Sequence, residues 1–315
     1  MKYISDRYQI IGSNGKIISG KLYKAIDLHK EEFVFIQLIK DNNFVNKKFM
    51  QNLIDESMML NEINYEQMAK MLDIGIHLTA EERYYYVVSE YFSGIELRKV
   101  IKGNYMDLSS IVKITKKILK ALDTGYRHKL YHGSLSEENI LVDENYNIKI
   151  YDYGITQANK GVNIRKDNCM MFLSPHQLSI NYTDMESDFF TLGVILFDAI
   201  FKRPPFGIGD NEEEMLKLID RGLDWNSVGI NDENIALVNI VKKLFRRTEK
   251  YKDVNEILID LSKFMYVKAD IKEEKSNIDT HDEENNNKGK RKSFQKVVIL
   301  SMTLIILIGV IAQLK

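Results

Sequence analysis

The 315-residue chain is short of several things, and each shortage excludes something. It has one cysteine, Cys169, which rules out an internal disulfide framework and fits a reducing compartment. Charge of either sign is not in excess: 44 Lys and Arg against 45 Asp and Glu leave a formal net charge of −1, so nucleic acid is not expected as a general partner. Only three prolines occur, Pro175 in LSPHQL and Pro204 and Pro205 in KRPPFG, all at apparent turns. The opening MKYISDRYQIIG lacks a long apolar stretch, so no secretory signal is visible. No internal repeat is evident either.

What is present suits a globular protein: 44% of residues are hydrophobic and 28% charged. The one long apolar run comes late. VVILSMTLIILIGVIAQL, 297–314, is 18 residues without a charge. As a helix it would span roughly 27 Å at about 1.5 Å per residue, close to the ~30 Å of a bilayer core. The alternative is a buried core helix, but the run follows a polar stretch poorly suited to packing. That stretch, 269–296, is rich in charge and poor in aliphatics, and reads as a disordered linker. As a coil it would span roughly 30 Å r.m.s.. Lys288, Lys290, Arg291, Lys292 and Lys296 precede the run and only Lys315 follows it, so the positive-inside bias places everything before it in the cytoplasm. The expectation is a single-pass membrane protein with a C-terminal anchor.

Residues 8–40 alternate apolar and polar in short runs, as hairpin strands do, most clearly in IISGKLYKAID and FVFIQLIK. NKKFMQNLIDESMMLNEI has helical spacing, and RYYYVVSEYF reads as another strand. Beyond about residue 96 the pattern is largely helical. A β-rich lobe (about 8–92) followed by a helical lobe (about 93–268) is an α+β arrangement with a cleft expected between the lobes.

Taken in order, KLYKAID, VFIQLIK, ESMMLNEINYEQMAKMLDIG, VVSEYFSG, HGSLSEEN, IYDYG, LSPHQL and ESDFFTLGVILFDAIFKRPPFG resemble the working segments of a protein kinase, most closely the bacterial Ser/Thr type. The resemblance covers approximately residues 8–265 and implies the family's two-lobed fold. It also implies ATP and Mg as cofactors, and phosphoryl transfer that depends on positioning and charge neutralisation. Each working part can be matched to a residue of this chain.

In the glycine-rich loop Gly15 and Gly20 match the outer glycines, while Ile17 stands at the middle one and should hinder backbone approach to phosphates; an ordinary hairpin turn is the alternative. The family's V-A-I-K falls on Val34-Phe35-Ile36-Gln37, so Gln37 replaces the phosphate-contacting lysine. Lys40, three residues on, should point to the opposite face. Glu56, 19 positions before Gly75, matches the glutamate of the control helix, and a Gln37–Glu56 hydrogen bond is expected to keep that helix docked. Phe35 replaces the small alanine beside the adenine, between Leu22 and Leu141. Its ring would fill part of the slot, unless it turns into the small-lobe core. Ser89, Glu90 and Phe92 match hinge positions.

His-Arg-Asp falls on His132-Gly133-Ser134. Ser134 cannot serve as the anionic acceptor of a substrate proton near neutral pH, and Gly133 removes an arginine that would read a phosphate. Ser136 replaces the loop lysine; Glu137 and Glu138 read as solvated or structural. Asn139, five residues after Ser134, and Asp152 keep the metal-ligand pattern, or are kept as loop anchors. Cys169 and His176 replace a threonine and a glutamate of the activation segment, with only Lys250 as a partner for the latter. Asp188 remains to anchor the catalytic-loop backbone.

Scaffold residues stay while the chemical ones change. The resulting expectation is a membrane-anchored pseudokinase that acts by binding an unidentified protein, with ATP and Mg bound weakly or not at all. The competing readings are a low-activity Ser/Thr kinase using Asn139 and Asp152 with a metal, and a structural adaptor whose nucleotide cleft is occluded.

Overall fold

The computed structural model describes residues 3–11, 18–166, 170–275 and 289–298. Its first lobe is one antiparallel sheet of six strands: β1 (Tyr3–Ile4), β2 (Tyr8–Ile10), β3 (Leu22–Asp27), β4 (Glu32–Lys40), β5 (Met71–Leu78) and β6 (Arg83–Glu90), in the order β1-β2-β3-β4-β6-β5. Alternation along these strands splits their side chains between two faces. Ala25, Val34, Ile36, Leu38, Tyr86 and Val88 form the small-lobe core on one face. The other face looks toward the second lobe.

Helix α1 (Phe49–Ile63) packs between the sheet and the large lobe through Phe49, Leu53 and Leu60, which recur at helical spacing. Asn64 ends it in the left-handed conformation at φ 45°, its N–H returning to the Leu60 carbonyl.

The large lobe begins with β7 (Ile95–Glu96), α2 (Leu97–Lys102) and α3 (Leu108–Arg127). Strands β8 (Ile140–Val142) and β9 (Ile148–Ile150) complete a three-stranded sheet, β7-β8-β9. Then come α4 (Ile155–Ala158), α5 (Pro175–Ile180), α6 (Met185–Phe201), α7 (Glu212–Arg221), α8 (Ile235–Leu244) and α9 (Val254–Lys275). Pro175 opens α5 at its first turn, where no N–H partner is needed, and Ser174 with Gln177 forms a capping box. Helix α6 is buried almost all round from Ser187 to Ala199, and the lobe is built on it. A parallel bridge between Met68 and Ile150 ties the two lobes behind the cleft.

The two-lobed α+β architecture is therefore present as the pattern implied. The stretch expected as a linker, 269–296, is different at both ends. α9 continues to Lys275, and a further helix over 289–298 buries Phe294 between Tyr105 and Tyr146, with centroids 5.5 Å from each ring. Among the described residues no helix is long and apolar enough to cross a membrane. Of the span expected at 297–314, residues 299–314 lie outside the described residues, as do Gly15, Ile17 and Cys169.

Candidate functional site: a cleft filled from within

Strand register decides where Phe35 goes. Lys24 and Ser89 lie opposite Phe35, and Leu22 and Val87 lie opposite Gln37, so all six share the cleft face. Phe35 is therefore not in the small-lobe core, whose residues belong to the other face. It is 8% exposed and clusters with Ala69, Leu141 and Tyr151, with Leu22, Tyr91 and Phe92 around them. Tyr91 stacks on it at 5.5 Å and 26°, and Tyr151 meets it edge-on at 5.3 Å and 72°. Aromatic pairs of this kind contribute about 1 kcal/mol each beyond area burial. The Tyr151 hydroxyl donates to the Glu90 carbonyl at 3.0 Å, so the hinge already has a donor from within the chain. Glu90's carboxylate is itself held by Lys149 at 2.9 Å. Lys24 closes the outside: its ammonium lies 4.0 Å from the Tyr91 ring centroid and donates to that hydroxyl at 2.9 Å. Burial lowers its pKa to about 8.

The other end of the cleft is closed by a charge. Lys166, from the activation segment, sets its ammonium 2.6 Å from Asp152 Oδ2, and the two side chains are only 7% and 4% exposed. Burial pushes the Asp152 carboxyl up, but the Lys166 ammonium and the hydrogen bonds from Lys166 and Asn139 outweigh it and hold the pKa below its ordinary value. Asn139 Nδ2 donates to Asp152 at 3.0 Å, while Asn139 Oδ1 accepts from the Ser136 N–H at 2.9 Å. The oxygen that would face a metal is thus already used, and the remaining carboxylate has an ammonium against it. As arranged, these residues do not fit a divalent cation.

Gly20 makes room for this. A Cβ there would stand 2.6–2.7 Å from three carbons of the Lys166 side chain, and φ is +81°. The space left between Ser19–Leu22 and Ser134, Asn139 and Asp152 is about 30 Å³, enough for a water or two and far below the ~300 Å³ of the smallest ordinary ligand pockets. Ser134 Oγ lies 3.4 Å from the Lys166 ammonium. An ammonium held by a carboxylate is not a base, so this contact does not activate the hydroxyl.

Neighbours on both sides fix Lys166. Asn42 donates to the Ile164 carbonyl at 3.0 Å, Asn46 N–H donates to Asn159 at 2.8 Å, and Asn52 donates to the Ala158 carbonyl at 2.8 Å. These tie the segment to the small lobe and α1. From the large lobe, Glu212 holds Arg165 at 2.7 Å, and Asn163 donates to the Gly133 carbonyl at 2.7 Å.

The catalytic-loop scaffold is intact. Asp188 accepts from the N–H groups of His132 at 2.9 Å and Gly133 at 2.7 Å. His132 is fully buried against Tyr153, and its Nε2 meets the Tyr151 carbonyl at 2.8 Å. Burial lowers its pKa to about 4. Gly133 has φ +68°, and a Cβ there would meet Thr183 and Thr156 at 2.6–2.7 Å. Its lack of a side chain is thus a packing requirement of this loop, as well as the loss of an arginine.

One expectation needs correction. Gln37 does not bond Glu56: its Nε2 donates to the Gly20 carbonyl at 2.7 Å, and its Oε1 and Glu56 Oε2 are both buried without a partner among the described residues. Glu56 instead lies against Gly154, at the start of α4, and burial raises its pKa. α1 is held to α4 by packing and by Asn52. Of the two readings of Glu137, solvated or structural, its burial fits the second: it is 1% exposed, and burial, then Asp198, raises its pKa. Lys250 pairs with Glu186, and His176 meets Asp184 at 3.3 Å. Lys40 pairs with Glu82, on the face away from the cleft.

Sequence reasoning missed Tyr151 and Lys166. An aromatic directly before Asp152, at the floor of the slot, was a readable signal for the first. No local pattern marks the second.

A family profile described as "Protein kinase domain" matches residues 7–277. The serine/threonine-protein kinase PrkC of Bacillus subtilis is 27% identical over 263 residues, covering 80% of this chain and 40% of that protein. A probable serine/threonine-protein kinase of Clostridium perfringens is 24% identical over 270 residues, covering 83% and 39%. Another, PknB of Lactococcus lactis, is 26% identical over 271 residues, covering 83% and 42%. The chain spans about two fifths of the length of these curated relatives. With its two lobes, its Asp188-anchored loop and this match over most of its length, the chain belongs to the protein kinase family.

Proposed function

We propose that this member of the family is a pseudokinase, acting by binding a protein partner while anchored through 297–314 to the cytoplasmic face of a membrane. One observation carries the reading: both ends of the cleft are occupied by the chain's own side chains, Phe35 and Tyr151 at one and Lys166 on Asp152 at the other. Even with the cleft open, Gln37 and Ser134 would leave no cation for the phosphates and no proton acceptor. The competing low-activity kinase is supported by the Asn139–Asp152 pair, which stands together at 3.0 Å but would need Lys166 withdrawn and the Asn139 amide turned to hold a metal.

Calorimetric titration of the full chain with ATP, with and without magnesium, separates the two. The pseudokinase reading expects no measurable heat and no phosphate transfer to itself or to a generic protein substrate. Micromolar, magnesium-dependent binding with turnover abolished by Asp152→Ala would establish the low-activity kinase. Deleting 297–315 should move the protein from the membrane to the soluble fraction; a truncated protein that stays membrane-bound contradicts the anchor.

A further inference from the structure

We infer that the large lobe carries a binding site for the phosphate of an acidic phospholipid headgroup, formed where the helix over 289–298 docks. This rests on the reading of 297–314 as a membrane anchor.

The helix is seated by Phe294, fully buried and stacked between Tyr105 and Tyr146 at interplanar angles of 20° and 22°. Val298, the second residue of the apolar run, is 2% exposed. The lobe is therefore held at the start of the run, not on a long tether. Between the helix and the N-terminal half of α3 is a cavity of about 460 Å³, within the ~300–1,000 Å³ of small-ligand sites. Lys113 and Lys116 from α3 and Lys290 and Arg291 from the docked helix line it, against one acid, Asp107. That acid is already committed: its carboxylate caps α3 by accepting the Ser110 N–H at 2.8 Å. Lys113 is oriented by a 2.8 Å bond to the Asn145 carbonyl, and Arg291 reaches Asn145 Oδ1 at 3.3 Å.

Position selects the ligand. Lys290 and Arg291 lie seven and six residues before Val297, roughly 10 Å along a helix. Val297 and Val298 still pack on the lobe, so the cavity stands just outside the apolar span that the anchor reading places in lipid, within reach of long Lys and Arg side chains to the headgroups. Four cations converging on a cavity there match a phosphodiester anion in the membrane surface.

The test uses the full chain in a neutral detergent, titrated with short-chain phosphatidylglycerol, phosphatidylcholine or inorganic phosphate while the melting temperature is followed. Phosphatidylglycerol should raise it by about 5 °C at a hundredfold excess over its dissociation constant; the other two should not. Each basic residue near an anionic surface contributes roughly fivefold. Lys113→Gln with Lys116→Gln should therefore raise the half-saturating concentration about 25-fold, whereas Lys47→Gln with Lys48→Gln, the same charge change on the small lobe, should not. Phe294→Ala, which unseats the docked helix, should also weaken the response and serves if the double variant does not fold. No shift with phosphatidylglycerol overturns the site, as does a shift that survives both the double variant and Phe294→Ala. An equal response to inorganic phosphate overturns the lipid assignment. Membrane fractionation is scored separately: a soluble full chain that still responds to phosphatidylglycerol refutes the anchor alone, and a membrane-bound chain that does not respond refutes the site alone.

Discussion

The two ends of the cleft are closed by different physics. At the hinge end, Phe35, Tyr91 and Tyr151 fill the slot with buried aromatic surface. The rings themselves stay neutral in acid and form part of the fold, with Lys24, whose pKa is about 8, only at their outer edge. At the other end the closure is one ion pair, Lys166 on Asp152, carried in by a segment held at a handful of polar contacts. An ion pair of this kind can be undone by protonation or by moving one segment. The first closure therefore belongs to the core of the molecule, and the second is the one that a partner gripping the activation segment could release.

The largest effect should come from the aromatic end. Phe35→Ala removes a buried ring and should cost about 3 kcal/mol or more, seen in chemical denaturation. The cavity left between Leu22 and Leu141 should then admit an adenine nucleotide weakly, so that ATP restores part of the lost melting temperature. Adding Gln37→Lys should strengthen that binding by placing an ammonium in the phosphate end of the cleft. Neither variant should turn over while Ser134 remains. If Phe35→Ala leaves both stability and ATP binding unchanged, the ring does not plug the slot.

Next in size is Lys166→Met, which leaves Asp152 buried without its cation and should cost about 3 kcal/mol near neutral pH. Its pH dependence distinguishes the two closures. Asp152 has a lowered pKa in the folded state, so its contribution is present above the ordinary carboxylate value and is lost as pH falls through the lowered one. The cost of Lys166→Met should shrink below about pH 4, while the cost of Phe35→Ala should not. Equal pH profiles for the two variants would remove the distinction.

These two residues also show how much was legible beforehand. Phe35 is legible through the resemblance, which puts it at the small alanine beside the adenine between Leu22 and Leu141, while its face, left open there, is fixed by the strand register. Lys166 is not. It reaches Asp152 because Asn42, Asn163 and Arg165 anchor its segment from both lobes, and such long-range polar contacts leave no period in the chain. The Gln37–Glu56 pair failed for a related reason: a strand and a helix were each placed correctly, but which polar atoms meet depends on how α4 packs against α1. The docked end of the linker was hidden because composition averages over 269–296, while a single aromatic, Phe294, does the anchoring.

A smaller effect is expected at Gly133. Its φ of +68° and the absence of room for a Cβ predict that Gly133→Ala costs about 2 kcal/mol, from left-handed strain and displacement of Thr156 and Thr183. Because the Gly133 carbonyl accepts from Asn163 and Gln177, the variant should also loosen the segment carrying Lys166, detected as faster amide exchange over 163–166. Normal stability and exchange would mean that the glycine is dispensable.

The smallest change in overall stability should come from His132, where two buried groups oppose each other. The ring's pKa is lowered by burial from an ordinary 6.5 to about 4. Its neutral form thus contributes stability that is present above 6.5 and lost as pH falls toward 4. Asp188, bonded to the His132 N–H, has the reverse sign: burial raises its pKa to about 7, partly offset by the two N–H groups it accepts. Its contribution is present below the ordinary carboxylate value and is lost as pH rises through 7. Between about pH 4 and 6.5 the two slopes cancel, so the denaturation midpoint is a poor probe and the ring itself is the right one. In a nitrogen-correlated NMR titration, His132 should keep a neutral tautomer down to about pH 4. A His132 ring that protonates near the ordinary imidazole value of about 6.5 would show that the loop opens to water, and the rigid scaffold assigned to it would be wrong.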